Sequence, residues 1–128
     1  MATTLYGLDN CDTCKKARNW LVRFGIAHDF VDYRTHRQDA ATLAGWATQA
    51  GGWDALINKS STTWRQLPPN RKAPGSDPEW QLLLKEYPQL IRRPVVVTED
   101  ATMTQGFSDN AFKARFAVRQ APDAKGTK

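Results

Sequence analysis

Residues 3–17 read TTLYGLDNCDTCKKA, and this stretch decides the fold. Its first five residues are β-branched, apolar or aromatic and end in glycine, which predicts a strand over 3–7. Turn-forming residues follow, and from Asp12 the apolar side chains recur at helical spacing, which predicts a helix of about three turns. Both cysteines of the chain, Cys11 and Cys14, therefore lie where the exit loop of a strand meets the start of a helix.

The segment after this helix predicts a return to the same sheet. Gly25 ends the helical pattern, and residues 26–33 contain the aromatic and β-branched side chains of a second strand. A strand, a helix and a strand within 33 residues indicate two parallel strands joined by a crossover helix.

The rest of the chain predicts a helical block, two strands and a last helix. Helical spacing covers 40–47, and a turn-rich piece over 58–74 precedes a further helix that Ser76 caps. Strands are predicted over 95–98 and 103–105, followed by a helix that begins at Ser108. The fold class is therefore α/β, in the order β-α-β, helical block, β-β-α.

Length and charge predict one domain with a short tail. The chain has 128 residues, with 18 Lys and Arg against 13 Asp and Glu, for a net charge of +5. We expect a single domain over 1–118 and a disordered tail over 119–128 that carries three basic residues and one acidic residue. The remaining basic residues are scattered among acidic ones, so we expect no nucleic-acid partner.

The distribution of apolar residues predicts a protein of the cytoplasm. The longest uninterrupted apolar run is three residues, whereas a bilayer span needs about 20. The first residues also lack the basic and apolar regions of an export signal. We therefore expect no membrane partner, a cytoplasmic location and reduced thiols.

The Cys-x-x-Cys motif at a helix start predicts redox chemistry. The first turn of a helix presents unpaired N–H groups and a partial positive charge, both of which stabilise a thiolate. Lys15 and Lys16 add positive charge in the next turn. We expect Cys11 to be the nucleophile and Cys14 to attack the mixed disulfide that forms on Cys11.

Two other interpretations of the cysteines were weighed. A zinc finger would pair them with His28, but His36 follows after seven residues where a finger allows about three to five, so no metal site is predicted. Two inert, packed thiols are the second alternative, and the joint placement at a helix start argues against it.

A proline precedes the third predicted strand. Pro94 follows Arg93 at a place where a central strand would not normally accept it, and a cis Arg93–Pro94 bond would explain this. In thioredoxin-like folds such a proline lies against the nucleophilic cysteine. A proline that simply starts a strand is the alternative.

The chain resembles the ArsC-type arsenate reductases and their relatives, the Spx-type redox regulators and the YffB-type proteins, and most of all the YffB branch. The resemblance extends to about Phe116 and rests on four motifs in the same order. These are LYG at 5–7 with NCDTCKKA at 10–17, TTWR at 62–65, RRP at 92–94 and GFSD at 106–109.

This resemblance implies a thioredoxin-like mixed sheet with a helical insertion at about 36–90. It implies that Cys11 is the nucleophile and that Arg65 and Arg93 line an anion site, with Thr13, Lys15 and Pro94 as further binding residues. Guanidinium groups beside a helix N-terminus suit an oxyanion or a glutathione carboxylate. From the residues alone, Arg65 would be a solvated surface arginine.

Two positions depart from the arsenate reductase pattern. Those enzymes carry a third arginine after the last strand, where this chain reads Gln105-Gly106-Phe107, and a histidine four residues before the cysteine, where it has Gly7. One anion-binding group and one thiol-activating group are thus replaced, which argues against arsenate as the natural substrate.

The leading hypothesis is a thiol reductase that binds no cofactor and uses glutathione as co-substrate. Its partners would be glutathione or a glutaredoxin-type thiol donor, and a small oxyanion or thiol substrate. One alternative is an Spx-type regulator that binds RNA polymerase and is switched by a Cys11–Cys14 disulfide. The other is a true arsenate reductase.

Overall fold

The computed structural model describes residues 3–116. These residues form four strands and six helices, with 3₁₀ turns at Pro69–Arg71 and Pro88–Leu90. The order is β1 (Thr3–Gly7), α1 (Asp12–Arg23), β2 (His28–Asp32), α2 (Ala40–Ala50), α3 (Trp53–Leu56), α4 (Thr62–Arg65), α5 (Asp77–Glu86), β3 (Val95–Val97), β4 (Met103–Gln105) and α6 (Asp109–Arg115). The predicted tail over 119–128 lies outside the described residues.

The strands form one mixed sheet in the order β2-β1-β3-β4. β1 pairs in parallel with β2, as the crossover helix predicted, and Leu5 lies opposite Phe30. The other two pairs, β1 with β3 and β3 with β4, are antiparallel. The carboxyl end of β1 therefore leads to α1 at the centre of the sheet, beside the segment that enters β3.

Alternate side chains of the central strands enter two separate cores. Leu5 and Val96 pack with α1 and α6 on one face, in a cluster that contains Trp20 and Phe112. Tyr6 and Val95 pack on the other face against the helices that lie between β2 and β3. Burying each large apolar side chain contributes about 1.5–3 kcal/mol, so both layers stabilise the central pair of strands.

Short polar side chains cap the starts of α2, α5 and α6. The side chains of Asp39, Ser76 and Ser108 accept hydrogen bonds from backbone N–H groups in the first turns of α2, α5 and α6. Gly51, with φ 100°, ends α2 in the left-handed conformation that glycine adopts most readily. The caps predicted at Ser76 and Ser108 are confirmed.

The segment between β2 and β3 contains more helix than its turn signals predicted. The turn-rich piece holds the short helix α4, which Ser61 caps and whose Trp64 is buried. Another short helix, α3, also formed without a sequence signal. Trp53, Trp80 and Trp64 stack in parallel there, with ring centroids 6.2 and 6.4 Å apart, so tertiary packing supports both helices. Within residues 3–116, none of the helices has the length and apolar character needed to span a bilayer.

Candidate active site

Cys11 caps the N-terminus of α1 with extended backbone angles, φ −96° and ψ 123°. Its N–H donates to the carbonyl of Leu8 at 3.2 Å, and its carbonyl accepts from Lys15 N–H at 2.9 Å. The sulfur is partly exposed and faces the backbone N–H of Cys14. The thiol thus lies where the first turn of α1 presents unpaired N–H groups, as the motif predicted.

Cys14 lies one turn further along α1 and is fully buried. Its side chain fills the space beside Gly7, where an added Cβ would overlap the Cys14 sulfur and lie 3.4 Å from the Cys14 Cβ. Gly7 also occupies the position at which the arsenate reductase pattern has a histidine. A side chain at position 7 and a thiol in this orientation at position 14 therefore exclude each other.

The pKa values of the two thiols are shifted in opposite directions from that of an ordinary cysteine. Burial raises the pKa of Cys11, but the Cys14 backbone N–H, the Cys14 thiol and the Arg93 guanidinium together lower that pKa below its usual value. Burial raises the pKa of Cys14 to about 11, and the adjacent Cys11 sulfur adds to the rise. Cys11 is therefore the thiol that becomes a thiolate first.

Arg93 supplies the positive charge at the Cys11 sulfur. The residue is half-buried, and its Nη1 donates to the carbonyl of Gln89 at 2.8 Å. No ion pair within residues 3–116 includes its guanidinium. Its charge therefore faces the thiol and the adjoining surface without a carboxylate to neutralise it.

Pro94 links this arginine to the sheet. The Arg93–Pro94 peptide bond is cis, which confirms the expected geometry. The proline is fully buried, and its carbonyl accepts from Gly106 N–H at 2.9 Å. The alternative of an ordinary trans proline at a strand start is excluded.

The other predicted binding residues lie further from direct contact with the thiol. Thr13 and Lys15 are exposed in the first turns of α1. Arg65 is exposed at the end of α4, beside the buried Trp64, and it is not among the groups that shift the pKa of Cys11. Their roles as anion or glutathione ligands stay predictions, whereas the Arg93 guanidinium lowers the pKa of Cys11.

The position of the absent third arginine has a structural role. The side-chain amide of Gln105 donates to the carbonyl of Leu56 at 2.7 Å and more weakly to that of Arg92. It therefore joins β4 to the segments before and after α5 and has little donor capacity left for an anion. Where the arsenate reductase pattern has an anion-binding arginine, this chain therefore has a glutamine side chain that binds two backbone carbonyls.

Sequence reasoning missed Tyr33, which is buried beside Arg93. Its hydroxyl donates to the carbonyl of Ile91, 58 residues away. The only local signal is an aromatic residue after β2, which is typical of any core. Within the described residues no three potential metal ligands converge, and His28 contacts the carbonyl of Ile26 through Nδ1.

Comparison with known proteins was made for sequence and for structure. An uncharacterized protein of Haemophilus influenzae is 41% identical over 114 residues, which cover 89% of this chain and 98% of that protein. The global transcriptional regulator Spx of Streptococcus pneumoniae is 26% identical over 115 residues, covering 87% of this chain and 83% of the regulator.

A solved structure of a YffB protein is similar with a TM-score of 0.77 at 34% identity, covering 88% of this chain and 96% of that one. This likeness confirms the thioredoxin-like fold and the resemblance to the YffB branch. The model of the ArsC family matches residues 6–115, most of the chain. The protein therefore belongs to the ArsC family.

Proposed function

We propose that the protein is a thiol–disulfide oxidoreductase that uses glutathione. In the first step the Cys11 thiolate attacks a disulfide sulfur that carries a glutathionyl group. A Cys11–glutathione disulfide forms, and the displaced sulfur leaves as a thiolate that takes up a proton. Membership of the ArsC family supports a thiol reductase, and the glutathione dependence is the part to be tested.

The observation that carries this proposal is the contrast between two thiols one helical turn apart. Cys11 is partly exposed with a lowered pKa, whereas Cys14 is buried with a pKa raised to about 11. Cys11 is therefore the thiolate that attacks an external disulfide, and Cys14 stays protonated during this step. Two merely packed thiols would both have raised pKa values.

The second step uses the contact between the two cysteines. Cys14 loses its proton and attacks the Cys11 sulfur, which releases glutathione as a thiolate and leaves a Cys11–Cys14 disulfide. Two glutathione molecules, which become glutathione disulfide, or one glutaredoxin-type dithiol then supply two electrons and two protons and restore both thiols. The balanced cycle needs no bound cofactor or metal.

Arg93 and Arg65 are the residues that we expect to bind the anionic groups of the partner. Arg93 forms no ion pair within residues 3–116, and Arg65 is exposed on α4, which packs beside the 3₁₀ turn that precedes Arg93. A guanidinium binds a carboxylate or a small oxyanion through two parallel hydrogen bonds. Thr13 and Lys15 extend the proposed site along α1, and we assign the protein to the cytoplasm, where glutathione keeps thiols reduced.

The test is mass spectrometry of the reduced protein after exposure to oxidised glutathione. We expect one glutathione adduct on Cys11, followed by conversion to the internal disulfide. Cys14→Ser should trap the adduct, and Cys11→Ser should form neither species. A protein that forms no adduct and no internal disulfide is not a glutathione-dependent reductase.

A redox-switched regulator is the second candidate, because the chain is similar to Spx. In that case the Cys11–Cys14 disulfide would control binding to RNA polymerase. Capture of purified polymerase by the oxidised protein, and not by Cys14→Ser, would favour this function. Arsenate reduction is the weaker third candidate because Gln105 is bound to backbone carbonyls. Turnover of arsenate with glutathione and glutaredoxin would establish it.

A further inference from the structure

Tyr33 connects the end of β2 to the segment that enters β3. Its backbone N–H donates to the carbonyl of Gly7 at 3.2 Å, at the end of β1. Its side chain is 2% exposed, and its hydroxyl donates to the carbonyl of Ile91 at 3.1 Å. The hydrogen bond from this buried phenol to a backbone carbonyl therefore joins the end of β2 to the segment before β3.

The same segment carries the arginine of the candidate site. Arg93 donates through Nη1 to the carbonyl of Gln89, two residues before the carbonyl that Tyr33 binds. Its guanidinium favours ionisation of both the Tyr33 hydroxyl and the Cys11 thiol, so it lies near both groups. The position of the positive charge therefore depends on how firmly residues 89–91 and the phenol are held.

We propose that Tyr33 is a positioning residue that holds Arg93 against the sulfur of Cys11. An arginine side chain has several rotatable bonds, and an unsupported guanidinium gains freedom by moving into solvent. Without the phenol hydroxyl, the Ile91 carbonyl loses its donor and the guanidinium loses one neighbour. The inference rests on the proposed function, because it takes Cys11 as the reacting thiol.

The other groups around Cys11 do not change when the phenol is altered. Cys14 contributes its backbone N–H and its thiol from within α1. The charged residues nearest in sequence, Asp9, Asp12 and Lys15, are all exposed. The Tyr33 hydroxyl itself lies near Cys11, so a change in Cys11 titration reports on Arg93 when it disappears in an Arg93→Gln background.

The test is the pH profile of Cys11 alkylation by iodoacetamide, followed by peptide mass spectrometry. Tyr33→Phe keeps the ring and removes the hydroxyl. We expect its profile to move to higher pH and its rate at pH 6 to fall about threefold to tenfold, because thiolate is tenfold scarcer for each unit of pKa. Tyr87→Phe is the control, since the described residues offer the Tyr87 hydroxyl no hydrogen-bond partner and it is only half-buried.

A double-mutant cycle with Arg93→Gln separates positioning from general loosening of the fold. We expect Tyr33→Phe to have no further effect on the profile once Arg93 is replaced. An unchanged profile in the single variant overturns the proposal, and so does an equal shift in the Arg93→Gln background. Alkylation uses no glutathione, so a shift without any glutathione adduct would refute the proposed function and leave this inference standing.

Discussion

Cys11 and Cys14 lie one helical turn apart at the start of α1, yet their surroundings are opposite. Cys11 lies at the cap, partly exposed, with the helix N–H groups and Arg93 around its sulfur. Cys14 points inward, is fully buried and fills the space beside Gly7. The difference shows that a helix N-terminus favours a thiolate only where the sulfur meets its N–H groups and a cation, and that burial reverses the effect three residues later.

The sharpest test of this contrast replaces each sulfur in turn. We expect Cys11→Ser to abolish glutathione adducts and turnover, because serine is a far weaker nucleophile at neutral pH. Cys14→Ser should still form the Cys11 adduct and should accumulate it. Steady-state turnover and mass spectrometry check both, and equal residual activity in the two variants would refute their separate roles.

Gly7→Ala should disturb the packing of the buried thiol, Cys14. The new Cβ overlaps the Cys14 sulfur, so we expect the free energy of unfolding to fall by about 1–3 kcal/mol. The loss should shrink in a Cys14→Ala background, where the closest remaining pair is the two Cβ atoms at 3.4 Å. Urea unfolding measures both differences.

Gly45→Ala is the matched control for this substitution. Gly45 is exposed in α2, and no atom lies within 4 Å of its added Cβ. We expect a gain of about 0.5–1 kcal/mol there, since alanine is the better helix former. A Gly7→Ala loss that is the same with and without the Cys14 sulfur would contradict the steric account.

Alkaline pH should destabilise the protein through Cys14. Its pKa is about 11 when folded and near 8.5 when unfolded, so the unfolded chain loses its proton first as pH rises. This stabilisation, about 3 kcal/mol, is present below the unfolded pKa and is lost as pH approaches 11. Reduced wild type should therefore lose more stability than Cys14→Ala between pH 8 and 11, as measured by urea unfolding.

Cys11 should give the opposite slope, because its folded pKa is lowered. Its contribution is present above the unfolded pKa and is lost as pH falls through the folded pKa. Comparing the free energy of unfolding of Cys11→Ser with that of wild type at pH values below the unfolded pKa isolates the contribution of Cys11. A wild type with the same alkaline slope as Cys14→Ala would contradict the buried-thiol assignment.

Removing the cation beside Cys11 should have the smallest of these effects. Arg93→Gln takes away the guanidinium that lowers the pKa of Cys11, so its alkylation at pH 6 should slow about tenfold. Arg92→Gln is the matched control, because the adjacent Arg92 is exposed and is not among the groups that shift this pKa. Equal slowing in both variants would mean that general surface charge, and not the Arg93 contact, lowers the pKa.

Local signals predicted the parts of this molecule that depend on local contacts. The bounds of β1, the helix that follows Cys11, and the caps at Ser76 and Ser108 each follow from a few adjacent residues. The nucleophilic position of Cys11 follows in the same way from a strand, a loop and a helix start. These features need no knowledge of the rest of the chain.

Several features that depend on contacts between separate segments were not predicted. Tyr33 reaches across 58 residues to Ile91, and its sequence neighbours give no sign of that partner. Gly7 was read as a missing histidine, whereas the structure shows space that the Cys14 sulfur occupies. The short helix α4 forms where Trp64 stacks on Trp80, which turn residues alone do not indicate.

The distribution of tryptophans gives the two layers separate optical signatures. Four of the five tryptophans belong to the core between the sheet and the helices of residues 40–90, whereas Trp20 belongs to the core beneath α1 and α6. Trp53, Trp64 and Trp80 have parallel indole rings about 6 Å apart, close enough for their excited states to interact, and all three belong to the helical layer. A Trp20→Phe variant would therefore remove the tryptophan of the core beneath α1 and α6. Its tryptophan fluorescence would then report only on the core that contains the helices of residues 40–90.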